Sequence, residues 1–209
     1  MAMGTRIITY VTKLENQDAH ISSDPYVYGG MLGEYTGKWI AKYWPNEEIE
    51  VGMLTYNSIP EVITRQEGME KEMMKYAPNA KVVVKKDAAA PEQGMQAAEN
   101  FMQAYPNMKV IYGINDGGAV GAYQAAIAAG KDKEFDNFFV GGTDGIDEAL
   151  QLIAKPGSIY RASVSINPFN IGEQCGENLK NMVDGNEFWT EGKYNLQLVT
   201  PENVNDFLK

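Results

Sequence analysis

Short apolar runs alternate with helix-length amphipathic segments along nearly the whole chain. The runs Ile7–Val11, Ile49–Tyr56, Lys81–Lys86, Lys109–Ile114, Phe138–Gly142, Tyr160–Ile166 and Tyr194–Thr200 read as strands. Between them, Pro25–Trp44, Pro60–Tyr76, Pro91–Tyr105, Gly118–Ala129, Ile146–Ala154 and Pro168–Val183 read as helices. A continuous apolar strand such as Val82-Val83-Val84 suits a sheet covered on both faces. Strand–helix alternation of this kind predicts an α/β fold, a three-layer α/β/α doubly wound domain with a mainly parallel sheet.

The helix starts are punctuated. Asp24-Pro25 offers a capping side chain followed by a proline whose missing N–H costs nothing in the first turn. Gly29, Gly33 and Gly37 recur every fourth residue on that helix, a stripe that lets a neighbouring helix approach closely and that reads as packing alone. The last helix carries Phe169, Ile171, Cys175, Leu179, Met182 and Val183 at helical spacing and is expected to present an apolar face.

In an open parallel sheet, ligands bind beyond the carboxyl ends of the strands. Three strand ends carry suitable polar groups. Ile49–Tyr56 runs into Asn57-Ser58, with Arg65 in the following helix; Lys109–Ile114 runs into Asn115-Asp116; Phe138–Gly142 runs into Thr143-Asp144-Gly145. Guanidinium, carboxamide and carboxylate are planar groups that bridge two adjacent hydroxyls, so Arg65, Asn115 and Asp144 suit a polyhydroxylated ligand. Taken singly, Asn115 and Asp144 are equally ordinary turn residues, and Arg65 an ordinary solvated arginine.

Composition narrows the functional classes. The formal net charge of −10 repels phosphate backbones and argues against nucleic-acid binding. No apolar run reaches membrane-spanning length. His20 is the only histidine and Cys175 the only cysteine. Neither has a partner in sequence that would make an acid–base pair, an activated nucleophile or a metal cluster, so no enzyme, cofactor or metal site is expected. The glycines at 117, 118 and 121 do not form a dinucleotide fingerprint.

The motifs together resemble the C-terminal lobe of the ribose- and galactose-binding-protein family of ABC-transporter receptors, of the periplasmic-binding-protein-like I fold. His20-Ile21-Ser22-Ser23-Asp24 followed by Gly29-Gly30 is similar to its crossover between lobes. Arg65-Gln66-Glu67-Gly68-Met69 resembles its Arg-x-x-Gly-aromatic motif, Ile114-Asn115-Asp116 its strand-end Asn-Asp, and Gly142-Thr143-Asp144-Gly145 its Gly-Phe-Asp-Gly turn. The resemblance implies that Arg65, Asn115 and Asp144 hold sugar hydroxyls. The family's usual ligand Gln falls at Ile166 here, or at Ser165 with a one-residue shift, and Val11 stands where the family usually has Asp. The loop Asp87-Ala88-Ala89-Ala90 lacks the aromatic that often stacks on the sugar.

The implied organisation is a remnant of an N-terminal lobe in 1–22, a ligand-binding lobe in 23–166, a returning helix in 167–192, and a final strand and tail in 193–209. The implied function is binding of a monosaccharide or related polyol, delivered to an ABC permease by a periplasmic or membrane-anchored extracellular receptor. An effector-sensing domain of a lactose-repressor-type regulator, or of a sensor receptor, would carry the same residues. With most of one lobe absent, the apolar helix is expected to pair with a second copy in a homodimer or to fold back on its own lobe.

Overall fold

The computed structural model describes residues 4–133 and 137–208. The chain divides into two compact units, one formed by Met1–Asp24 with Ile166–Leu196, the other by Pro25–Ser165 with Gln197–Lys209.

The larger unit is a six-stranded sheet in the order β4-β3-β5-β6-β7-β9. Its strands are β3 (Ile49–Thr55), β4 (Ala80–Asp87), β5 (Val110–Gly113), β6 (Phe139–Asp144), β7 (Tyr160–Ser165) and β9 (Gln197–Val199). All neighbours pair in parallel except β9, which runs antiparallel to β7. Helices α1 (Pro25–Tyr43) and α2 (Pro60–Tyr76) cover one face. Helices α3 (Pro91–Ala104), α4 (Asp116–Ala128) and α5 (Asp147–Ala154) cover the other. The second face closes over Leu54, Ile111 and Val140 of the strands with Phe101, Val120 and Ile153 of the helices, all buried. The expected three-layer, mainly parallel architecture is therefore the one found. The order places the strand-order reversal between β3 and β5, where such sheets open a crevice at the strands' carboxyl ends.

The glycine stripe explains how the first helical layer packs. A Cβ on Gly29 would lie 1.9 Å from the Arg65 carbonyl oxygen, and one on Gly33 2.2 Å from that of Met69. Backbone meets backbone there, and the contact fixes the height of Arg65 relative to α1. The opposite layer uses the same device: a Cβ on Gly94 of α3 would lie 2.0 Å from the Gly118 carbonyl oxygen of α4.

The smaller unit is a three-stranded parallel sheet, β1 (Ile8–Tyr10), β2 (Ala19–Ser22) and β8 (Glu191–Lys193), with helix α6 (Pro168–Asp184). Ile21, Ile171 and Tyr194 are its buried apolar centre, with Ile8, Ile166, Cys175 and Trp189 packed around them. Asn178 braces the loop before β8, donating to the Trp189 carbonyl at 2.9 Å and accepting from its amide at 3.0 Å.

Several local expectations are corrected. Residues 20–22, read as part of a crossover, lie in strand β2, and Glu191–Lys193 adds a strand with no apolar pattern to announce it. Val82, Val83 and Val84 are only partly buried because β4 is an edge strand, not a central one. The last strand is confined to Gln197–Val199. The apolar face of α6 is narrower than its composition: Ile171 and Met182 are buried and Cys175 half-buried, whereas Phe169 and Val183 are 70% and 77% exposed. Positions 171, 175, 178 and 182 form one helical stripe, and 169 and 183 project off it.

Candidate functional site

The site is built at the carboxyl ends of β5 and β6. Strand β6 runs on to include Thr143 and Asp144, so Asp144 is the strand's last residue rather than part of the turn after it. Its φ of 113° is one an L side chain rarely adopts, and Gly145 follows at 70°. This reversal is held from beneath by Asp116. One carboxylate oxygen accepts the amides of Gly145 at 2.7 Å and Ile146 at 3.0 Å; the other accepts the Tyr160 hydroxyl at 2.7 Å. The Ser163 hydroxyl lies 2.8 Å from both. A side chain at Gly142 would start 2.3 Å from Asp116 Oδ1, so the buried carboxylate requires glycine there. Burial, reinforced by the Asp144 charge, pushes the Asp116 carboxyl up to about 7, against the pull of its hydrogen bonds.

Arg65 reaches from α2 across both strand ends. Its Nη1 donates to the Ile114 carbonyl at 3.1 Å and to Thr143 Oγ1 at 3.3 Å, and lies 3.9 Å from Asp144 Oδ1. Its Nε is buried without a protein partner. The guanidinium carbon sits 4.0 Å above the centre of the Tyr28 ring, and the Tyr28 hydroxyl donates to Asp144 Oδ1 at 2.7 Å. Burial drives the Asp144 carboxyl up, while the Tyr28 bond and Arg65 draw it down.

Asn115 is adjacent, at the end of β5. It caps α4, its Oδ1 accepting the Gly118 amide at 3.0 Å while Nδ2 donates to the Ala89 carbonyl at 3.0 Å. One amide hydrogen remains for a ligand. The capping bond is why α4 starts directly after Asn115, two residues beyond the end of β5.

The other sequence candidates are Asn57, Ser165, which pairs with Asp144 across β6 and β7, and Ile166. Asn57 makes three bonds: Nδ2 donates to Asp87 Oδ1 at 2.6 Å and to Thr55 Oγ1 at 3.3 Å, and Oδ1 accepts from Gln66 at 3.2 Å. These bonds brace the ends of β3 and β4. Ser165 is buried at the end of β7, under the Gly145 turn. Ile166 belongs to the smaller unit, where its side chain joins the Ile21–Ile171–Tyr194 cluster. His20 is buried there too, its Nδ1 2.9 Å from Thr9 Oγ1. A cleft of about 460 Å³ near the other end of β7, lined by Tyr35, Trp39, Tyr43, Lys155, Arg161 and Glu202, involves none of Arg65, Asn115 or Asp144. Among the described residues no group of three His, Cys, Asp or Glu could hold a metal ion.

Sequence reasoning missed Tyr28 and the role of Asp116. Asp116 stood inside a quoted motif, and its full burial was the missing signal. Tyr28 had none, since it contacts residues 37 and 116 positions away.

The periplasmic binding protein domain matches residues 1–187. The chain belongs to the periplasmic binding protein family. Proteins of this family are normally periplasmic, and no helix among the described residues is long and apolar enough to cross a membrane. A curated relative, the D-allose-binding periplasmic protein of Escherichia coli K12, is 40% identical over 92 residues, 44% of this chain and 27% of that protein. The match thus spans about a quarter of the relative's length. Among solved structures, an ABC transporter periplasmic solute binding protein from Actinobacillus succinogenes 130z with bound D-allose superposes with a TM-score of 0.81. It is 20% identical, and the match covers 95% of this chain and 69% of that one. A Bacillus halodurans C-125 solute binding protein with bound myo-inositol has a TM-score of 0.82 at 24% identity, covering 98% of this chain and 69% of its own. These two likenesses establish that the periplasmic binding protein here has their fold.

Proposed function

We propose that this chain is the carbohydrate-binding lobe of an ABC-transporter solute receptor, a non-catalytic module that takes a monosaccharide or related polyol at the rim formed by Arg65, Asn115 and Asp144. The carrying observation is the state of Arg65. It is anchored through Nη1, which lies 3.9 Å from Asp144 Oδ1, it is stacked on Tyr28, and its Nε is buried without a protein partner. A ligand hydroxyl beside the guanidinium and the Asp144 carboxylate accepts from one and donates to the other. The D-allose-binding relative and the D-allose and myo-inositol complexes support the sugar or polyol class. They favour a receptor over a repressor-type regulator.

On this reading residues 23–166 are the ligand-binding lobe, while 1–22 and 167–192 belong to a second one. Ser165 and Ile166 stand where the family's glutamine would, and Asn57 steadies the β3 end of the rim. An ABC permease is the receiving partner, and the parent is a periplasmic protein or a membrane-anchored extracellular lipoprotein. The exposed Phe169 and Val183 on α6 give a homodimer its contact surface. Light scattering tests that point: a monomer at all accessible concentrations removes it.

Calorimetry with D-allose, D-ribose, D-galactose and myo-inositol tests the central reading. At least one should bind, and Arg65→Ala should weaken it by about 1.5–3 kcal/mol, roughly ten- to a hundredfold. Absence of binding across the panel, or an Arg65→Ala variant with unchanged affinity, overturns it.

A further inference from the structure

We infer that Tyr28 is the positioning residue of this site, holding the Arg65 guanidinium and the Asp144 carboxylate in one arrangement before ligand arrives. The inference rests on the reading of the rim as a sugar site and adds a residue to it.

Tyr28 lies in the first turn of α1 with its side chain buried at 1% exposure. It makes two specific contacts at once. Its ring face lies under the guanidinium at 4.0 Å, and its hydroxyl donates to Asp144 Oδ1 at 2.7 Å. The next residue, Gly29, packs against the Arg65 carbonyl with no room for a side chain, so the ring has a fixed height beneath Arg65. The stack fixes the guanidinium plane. The hydroxyl occupies Oδ1 and leaves Oδ2 of Asp144 as the oxygen to meet a ligand. Asp116 holds the backbone of the same turn through the Gly145 and Ile146 amides. Asp144 is thus fixed at its main chain by Asp116 and at its side chain by Tyr28.

The consequence is preorganisation and selectivity. Groups already ordered lose little freedom on binding. With Oδ1 already holding the Tyr28 donor, Oδ2 is the less occupied oxygen, and a vicinal diol suits the pair by donating one hydroxyl to Oδ2 while an adjacent oxygen faces Arg65.

The test uses Tyr28→Phe, which keeps the stacking ring and removes the donor, with Tyr28→Leu removing both. Three measurements are needed: affinity for D-allose by calorimetry, the titration midpoint of the Asp144 carboxyl by carbon-13 NMR, and the melting temperature. Tyr28→Phe should weaken D-allose binding by about tenfold or more, as expected for a hydrogen bond to a charged group. The Asp144 midpoint should move up, because a bond to its ionised form is lost, and the melting temperature above that midpoint should fall with it. Tyr28→Leu should weaken binding further. A merely structural tyrosine would lower the melting temperature and leave the midpoint in place, which overturns the inference. So does a shifted midpoint with unchanged affinity. If the parent chain takes up none of the sugars, the sugar-site reading fails and the midpoint alone decides Tyr28: a rise upholds the positioning contact, and no change removes it.

Discussion

The Tyr160 hydroxyl donates to Asp116 Oδ1 at 2.7 Å, with both side chains buried. The contact joins the start of β7 to the first residue of α4, under the turn that carries Asp144. Replacing Tyr160 by Phe removes one donor from a buried carboxylate and should destabilise the chain by about 1.5–3 kcal/mol, read as a shift of the urea midpoint. A variant as stable as the parent would show that the bond contributes nothing net.

Asp116 also sets a pH dependence. Its carboxyl titrates at about 7 in the folded chain, chiefly through burial, whereas an unfolded-chain carboxylate titrates near about 4. Between those values the folded state holds a proton that the unfolded state has released, so stability falls as pH rises from about 4 to about 7 and then levels. Asp18 and Asp87, held low by the Ile7 amide and the Thr55 hydroxyl respectively, act in the opposite sense only at more acidic pH. The melting temperature should be higher at pH 5 than at pH 8; Asp144, also raised by burial, acts in the same sense, so Asp116→Asn should reduce the difference without abolishing it. Identical slopes in parent and variant would assign the effect to another group.

Glycines in two helices should respond oppositely to a methyl group. At Gly33 a Cβ would meet the Met69 backbone at 2.2 Å, so Gly33→Ala must push α1 off α2 and cost about 1–3 kcal/mol or more. At Gly176, inside α6, nothing lies within 4 Å, and Gly176→Ala should stabilise by about 0.5–1 kcal/mol through the unfolded chain. Chemical denaturation of both variants checks the sign.

On α6, Ile171→Ala should cost about 2 kcal/mol or more by emptying the centre of the smaller unit. Val183→Ser, at a position 77% exposed, should change stability by less than about 0.5 kcal/mol. Equal effects would mean that Val183 is covered in solution, as a dimer through α6 requires.

The sequence alone determined the layer architecture, because apolar runs separated by helix-length amphipathic segments have few other ways to bury their surface. It also marked Asn115 and Asp144 at strand ends where a parallel sheet opens, and Arg65 in the helix after one, the three joined by the motifs that resemble the family's. What it did not determine depends on neighbours distant along the chain. Three valines in a row look the same in a central strand and in the edge strand β4, because pairing partners, not the run itself, decide burial. Glu191–Lys193 becomes a strand only because β2 lies beside it. Asn57 and Asn115 read alike at their strand ends, yet Asp87 and Thr55 take both amide hydrogens of the first, while the second spends one on the Ala89 carbonyl. Tyr28 joins Arg65 and Asp144 only after α1 has packed on α2 through glycines, and Asp116 acquires its proton affinity only when β5, β6 and β7 close over it. Periodicity is a local property of the chain; hydrogen-bond occupancy and desolvation are set by the tertiary structure.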